Sequence, residues 1–205
     1  MSALQPLDMV NRMCARIGEI PPLSLDDDVP GGQAAQLIYN GLVEALVGIY
    51  PFSFARKWCQ LPRLSAAPLG GWQYAFKLPP EALEPPFRIT DRLTDPGRGF
   101  SAFTLNGGEV YSDSPELLAE VLVLPPPHIW SATFRECATV AGAAEYALAR
   151  AADRNTWERL RVVAFGTPQE NMRGGLMRVA ISNDAQATPA LALPSGGPLI
   201  NAWRS

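Results

Sequence analysis

The chain has 205 residues, 47% of them hydrophobic and 18% charged, and a formal net charge of −3. That is enough apolar material for a packed core and too little charge for a disordered chain, and the length suits one domain or one domain with an insertion. A mildly acidic chain lacks the clustered cations that tight, nonspecific DNA binding needs to displace counterions, although it suits a surface past which DNA slides.

Residues Pro6 to Ile17 read as a helix, because Leu7, Val10, Met13, Cys14 and Ile17 recur at helical spacing and Gly18 supplies a stop. A loop from Pro21 to Gly32 follows, holding the acidic run Asp26-Asp27-Asp28. Gln33 to Tyr50 reads as a second helix with Leu37, Ile38, Leu42, Ala45, Leu46 and Ile49 on one apolar stripe. Pro51 ends it, having no amide hydrogen and clashing with the preceding turn.

From Phe52 the period changes. An aromatic and basic strand is expected through Phe52, Phe54, Arg56 and Trp58, and Trp72 to Leu78 alternates apolar and polar side chains as a half-buried strand does. Asn106-Gly107-Gly108 between apolar flanks is a hairpin signal, since these residues tolerate positive φ. Val121 to Leu124 reads as a short buried strand closed by three prolines.

Helical period returns from Ser131 to Ala152, where abundant Ala and Gly142 let backbones approach closely. Asp153 or Asn155 caps a fourth helix through Trp157, Leu160, Val163 and Ala164. Gly166 and Pro168 interrupt or kink it before it resumes through Met172, Leu176, Met177 and Ala180. From Ser182 the pattern collapses into a Pro/Gly-rich segment with apolar anchors at Leu191, Leu193, Leu199, Ile200 and Trp203. Such a segment is either a strap across its own domain or a loose end, or an arm docking on a neighbour with Trp203 as its buried anchor.

The order defines four parts: a helical pair (1–51), a β-rich insertion (52–127), further helices (128–181) and an extended C-terminal arm (182–205). The expected fold is mainly α with a β insertion, the helices packing across it as an up-down bundle.

Catalytic patterns are scarce. His128 is the sole histidine, set at a strand-to-helix junction, and no zinc-site spacing, P-loop, nucleophile elbow or dinucleotide fingerprint occurs. The acidic run lacks the spacing and glycine of an EF-hand and reads as a solvated loop that also caps the second helix. The aromatics near Arg56 and Lys57 suggest base stacking, but alternate strand positions account for them as core. Cys14, Cys59 and Cys137 are far apart in apolar contexts and read as small core residues in a reducing compartment. Fifteen of the 17 basic residues are Arg; Arg suits subunit-facing ion pairs because its planar fork grips a carboxylate at two points, and a GC-rich genome gives the same bias. No signal peptide or membrane span is expected. Neither a cofactor nor a metal is implied, and the chain reads as a non-enzyme.

Several motifs in order resemble one family. Ile17-Gly-Glu-Ile-Pro21 with Leu23-Ser-Leu-Asp-Asp27, Tyr50-Pro-Phe-Ser-Phe-Ala55, Trp72 to Pro79 with Glu81-Ala-Leu83, Val110-Tyr-Ser-Asp113, and an Ala-rich helix opening on Phe134 are similar to the head-to-tail connector (adaptor) proteins of tailed bacteriophages and gene transfer agents, related to tail tubular protein A. The likeness spans about residues 4 to 180. Phe52 stands where the family usually has Trp, and Gly166 to Gly175 breaks a helix that the family keeps intact.

The resemblance implies a structural virion protein at the head–tail junction, present in the host cytoplasm during assembly. It implies a ring, a dodecamer, that docks on the portal protein, extends the DNA channel and offers a surface to a downstream tail or stopper protein. Genomic DNA would pass through the lumen without sequence-specific contact, and no membrane would be involved. Two other readings remain at this level: a nucleic-acid-binding protein using Arg150, Arg154, Arg159 and Arg161, or another tail completion component.

Overall fold

The computed structural model describes residues 4–29, 33–66, 68, 70–92, 100–151 and 153–187. Among them are five α-helices, two three-stranded antiparallel sheets and a two-stranded pair, a mixed α/β architecture.

Helix α1 (Pro6–Arg16) starts where the sequence places it. Pro6 occupies the first turn, where a missing amide hydrogen costs nothing, and the backbone N–H of Gln5 donates to Asp8 Oδ2 at 2.8 Å. Strands β1 (Asp28–Val29) and β2 (Gln33–Ala34) form the small pair before α2 (Ala35–Ile49). The loop that holds the acidic run does cap α2, as the sequence reading has it, but with backbone carbonyls, the Asp27 carboxylate being turned into its own loop. Asp27 Oδ2 accepts the N–H groups of Leu23 and Ser24 at 3.0 and 2.8 Å. The first amides of α2 are met by loop carbonyls, Ala35 N–H by Asp27 O and Gln36 N–H by Leu25 O.

The buried face of α2 also differs from expectation. Ala35, Tyr39, Leu42, Val43, Leu46 and Val47 enter the core, whereas Leu37 is 71% exposed and Ala45 lies on the surface. The sequence stripe is turned away from the packed face by roughly one residue of helical rotation, about 100°.

After Pro51 the chain makes a 3₁₀ turn, Ser53–Ala55, and β3 (Arg56–Gln60) begins only at Arg56. Phe52 and Phe54 are therefore not strand residues. They stack at 5.1 Å and both meet Phe134, with Trp130 set edge-on to Phe134 at 5.0 Å. This aromatic cluster sits in the helical core, where its rings bury large apolar areas in edge-to-face and stacked contacts.

The inserted region forms β4 (Tyr74–Lys77), β5 (Arg88–Thr90), β6 (Phe103–Asn106), β7 (Glu109–Ser112) and β8 (Leu118–Leu122). One sheet has order β3-β8-β5 and the other β4-β7-β6. Asn106 pairs with Glu109 across a two-residue turn, and both Gly107 and Gly108 have positive φ (55° and 88°). That conformation matches the strand twist and is open to glycine at no steric cost, so the hairpin signal was correctly read. Strand β8 joins two cores: Ala119 and Val121 pack with Leu61, Phe76, Ile89, Val110 and Leu117 between the sheets, while Leu122 joins the helical core.

Helix α3 (Ala132–Ala151) packs against α1, α2, α4 (Arg154–Phe165) and α5 (Gly175–Ala187). At Gly142 the Met13 side chain of α1 packs against the bare backbone of α3, where a Cβ would overlap it. Asp153 caps α4, its Oδ1 accepting Thr156 N–H at 3.0 Å. Gly166 (φ 77°) ends α4, and a further 3₁₀ turn, Pro168–Glu170, separates it from α5. Helix α5 continues through Ala187, so residues 182–187, read as the start of an extended arm, are helical. Asp184 there is buried, and it accepts Ser53 N–H at 3.1 Å and Ser53 Oγ–H at 2.6 Å.

Candidate interaction surfaces

The five anchors read from the sequence as an arm interface, Leu191, Leu193, Leu199, Ile200 and Trp203, lie outside the described residues. What the described residues do form is an open apolar channel between α2, α3 and α4, built from the side of α2 that the core leaves uncovered.

Apart from Gly41 and Gly48, the only non-apolar residues of α2 are Gln36, Tyr39, Asn40 and Glu44, and the Tyr39 ring is buried. Gln36, Asn40 and Glu44 form a single row at four-residue spacing, so the apolar arc is far wider than the roughly 100° stripe a core-facing helix requires. The core takes one side of that arc. The other side, Leu37, Ile38, Gly41, Ala45 and Ile49, lines a cavity of about 560 Å³. Leu148 and Ala149 of α3 and Phe165 of α4 form its other walls, with Glu145 and Arg161 as polar groups at the lining. Trp157 Nε1–H donates to Glu145 Oε1 at 3.4 Å, tying α4 to α3, and the Arg161 guanidinium sits over the Trp157 ring at 4.9 Å. Arg173 Nη2–H donates to Ile49 O at 3.0 Å, placing a cation at the C-terminus of α2 where carbonyl dipoles converge.

A second concavity of about 760 Å³ continues from the first, sharing Arg161, Phe165 and Met172 and adding Trp157, Val162 and Pro168. The two together run along one face of α4.

A different exposed apolar surface lies in the loop that follows α1. The segment Ile20-Pro21-Pro22-Leu23 carries the two most exposed large apolar side chains among the described residues, Ile20 at 85% and Leu23 at 91%. It follows Ile17, which with Thr156, Arg159 and Leu160 lines a separate, smaller hollow. Its exposure is not legible in the sequence, because two apolar residues flanking a proline pair carry no period to detect.

The arginines proposed as a nucleic-acid face do not converge. Arg154 Nε is held by Glu158 at 3.0 Å, Arg159 borders the hollow beside Ile17, and Arg161 stacks on Trp157 across the helix. The side chain of Arg150 is not among the described ones. A denser charge group was not foreseen: Glu120, buried on β8, lies 3.5 Å from Arg56 Nη1 and 3.8 Å from Arg88 Nε on the flanking strands. Its like-faced register positions make it a cross-strand ion cluster that fixes the pairing of three strands.

His128 is exposed in a 3₁₀ turn, and among the described residues no group of three His, Cys, Asp or Glu side chains is placed to hold a metal ion. Cys14 and Cys137 are buried, and burial pushes the Cys137 thiol up to about 12. No described helix is long and apolar enough to cross a membrane.

In comparisons with known proteins, no family model matches the chain, and no curated protein matches it significantly.

Proposed function

We propose that this chain is the subunit of a head-to-tail connector ring of the phage adaptor type, a structural virion protein without catalytic chemistry. In this reading the helices form an up-down bundle that serves as a rigid wall. The ring, a dodecamer by family resemblance, docks on a portal protein, extends the DNA channel and presents a surface to a downstream tail or stopper protein. Residues beyond α5 act as the arm that reaches the portal or an adjacent subunit. DNA passes the lumen without being held, in keeping with the net charge of −3.

The observation that carries the reading is the apolar arc of α2, wider than its own core can cover, opening into a channel on one face of α4, together with a second exposed apolar segment in the loop that follows α1. A subunit of a closed ring needs two dissimilar, complementary faces, because a head-to-tail contact uses a different patch on each side. The order of the motifs from Ile17 to Phe134 supplies the family.

The test is negative-stain microscopy of the purified chain with and without its cognate portal protein. Rings stacked coaxially on the portal are expected. Absence of any association, alone or with the portal, would overturn the proposal.

A further inference from the structure

We infer that the hollow between α1 and α3 is a phosphate-binding cleft that meets the backbone of a nucleic acid strand. The inference goes beyond the connector-ring reading and does not rest on it, since a single subunit carries the whole cleft.

Helix α1 carries Arg12 and Arg16 one turn apart, and α3 carries Arg135 and Thr139 in the same relation. The packing of Met13 on Gly142 holds the two helices together. All four side chains line one hollow of about 580 Å³. Glu136, Ala15 and Ala132 complete the lining, and the two Ala methyl groups leave the space between the longer side chains open. No run of basic residues marks the cleft in the sequence, because each helix supplies only part of it.

The charges there do not balance. Glu136 is the one carboxylate of the lining, and Arg16 takes it, Nη1–H donating to Oε1 at 2.6 Å. Asp8, one turn before Arg12, spends Oδ2 on Gln5 N–H at 2.8 Å. Thr139 Oγ1–H donates to Arg135 O at 2.8 Å and so offers the hollow no donor. Among the described residues no carboxylate or hydrogen-bond acceptor meets the Arg12 or Arg135 guanidinium. Two cations, one on each helix, are therefore left unmatched. Arg12 and Arg16, like charges one turn apart, also repel each other, a cost that an incoming anion removes.

Phosphate is the anion this arrangement fits. A guanidinium fork meets phosphate oxygens with paired hydrogen bonds. A single carboxylate is satisfied by one fork, as Glu136 is by Arg16, whereas a run of phosphates presents a charge to every unmatched cation. A duplex carries one charge per about 1.7 Å of axis, and each cation that meets a phosphate releases condensed counterions. The lining has no aromatic side chain to stack on bases and no Asn or Gln to pair with adenine, which leaves the backbone as what the cleft meets. Two unmatched cations are too few to hold a duplex at physiological salt, so the contact suits DNA that moves past.

The deciding experiment is fluorescence anisotropy of a labelled random-sequence duplex, titrated with the purified chain over a range of salt. The expected result is weak binding at low salt, with log affinity falling against log salt at a slope of about −2, one unit per unmatched arginine. Arg12→Gln combined with Arg135→Gln should lower affinity at least about tenfold at low salt and bring the slope near zero. Unchanged affinity and slope in that double variant would overturn the inference, as would an equal loss in Arg154→Gln, whose side chain is already held by Glu158. Glu136→Gln frees Arg16 and should bind about tenfold tighter with a slope steeper by about one unit. Misfolding cannot produce that gain, and its absence would also count against the cleft. Two competitors separate the sources of the anion. Inorganic phosphate that shifts the Arg12 and Arg135 side-chain NMR signals, in a chain that does not bind the duplex, would assign the cleft to a free phosphate. Polyglutamate that displaces the duplex charge for charge would assign it to an acidic protein surface. Either result would overturn the nucleic-acid assignment.

Discussion

Replacing Asp184 with Ala tests the point at which the C-terminal helix is fastened to the rest of the molecule. The Asp184 carboxylate is 7% exposed and receives two donors from one residue, Ser53 N–H at 3.1 Å and Ser53 Oγ–H at 2.6 Å. A hydrogen bond to a charged group contributes about 1.5–3 kcal/mol, and the Ser53 amide, left unmet, adds a desolvation cost of about 1–3 kcal/mol. Against this, Ala is the better helix former by up to about 0.7 kcal/mol. The expected net loss is about 2–4 kcal/mol, since such contributions are not additive. Urea unfolding followed by tryptophan fluorescence reads it as a lowered midpoint with unchanged slope. Ser53→Ala keeps the backbone bond and loses only the hydroxyl donor, so it costs about 1 kcal/mol. The double variant then gives a coupling of about 0.5–3 kcal/mol. A loss below about 0.5 kcal/mol for Asp184→Ala, the level of an ordinary surface change, would refute the anchoring role.

Three further outcomes are expected. Gly175 has φ 51°, and a Cβ there would press on backbone atoms, Gly166 N at 2.9 Å and Ala164 C at 3.0 Å, so Gly175→Ala should cost at least about 1–2 kcal/mol in the same assay; no change would show that the α4–α5 junction relaxes freely. With Ellman's reagent near pH 8, one thiol should react quickly in the folded chain and three in urea. Burial raises the Cys14 and Cys137 thiols, whereas half-buried Cys59, also raised chiefly by burial, has Lys57 pulling it back toward the thiolate; two or more fast thiols would contradict the packing of α1 on α3. The Asp153 carboxyl is held below its ordinary value of 3.8, first by the Thr156 N–H. Its contribution is therefore present above that value and lost as pH falls through the lower, folded one, so Asp153→Ala should flatten the fall in Tm between about pH 5 and pH 2. Parallel curves for the two proteins would remove the cap from the account.

Much of the fold was legible because its boundaries rest on residues with one conformational use. Pro51, Gly18 and Gly166 end helices where they must, Asp153 caps where its carboxylate meets an orphan amide, and Gly107-Gly108 dictates the hairpin. What failed were assignments that depend on partners remote in sequence. Phe52 and Phe54 alternate like strand residues, yet their rings belong to a cluster with Phe134, some 80 positions on, which draws the backbone into a 3₁₀ turn. Ser182, Asn183 and Asp184 look like the end of a helix because each competes locally for backbone bonds. Asp184 spends its carboxylate on Ser53 instead, and the helix runs on to Ala187.

The face of α2 shows why a surface is harder to read than a core. Apolar spacing marks which side of a helix avoids water, and on α2 nearly every side does, apart from the row Gln36, Asn40 and Glu44. A stripe drawn through Leu37, Ile38, Leu42, Ala45, Leu46 and Ile49 is as good a period as the one the core selects. Sequence alone does not choose between them, because the choice is made by Tyr146, whose hydroxyl donates to Ala35 O at 3.2 Å, and by the aromatic stack of Tyr39 with Trp130. Once those contacts fix the rotation, Leu42 and Leu46 of that stripe enter the core, Ile38 and Ile49 stay half-buried at its edge, and Leu37 and Ala45 are left outside. A helix that served only its own core would be free to carry polar residues there, where they favour solubility. That Leu37 and Ala45 stand there instead is the physical reason for treating the channel as a surface made to be covered.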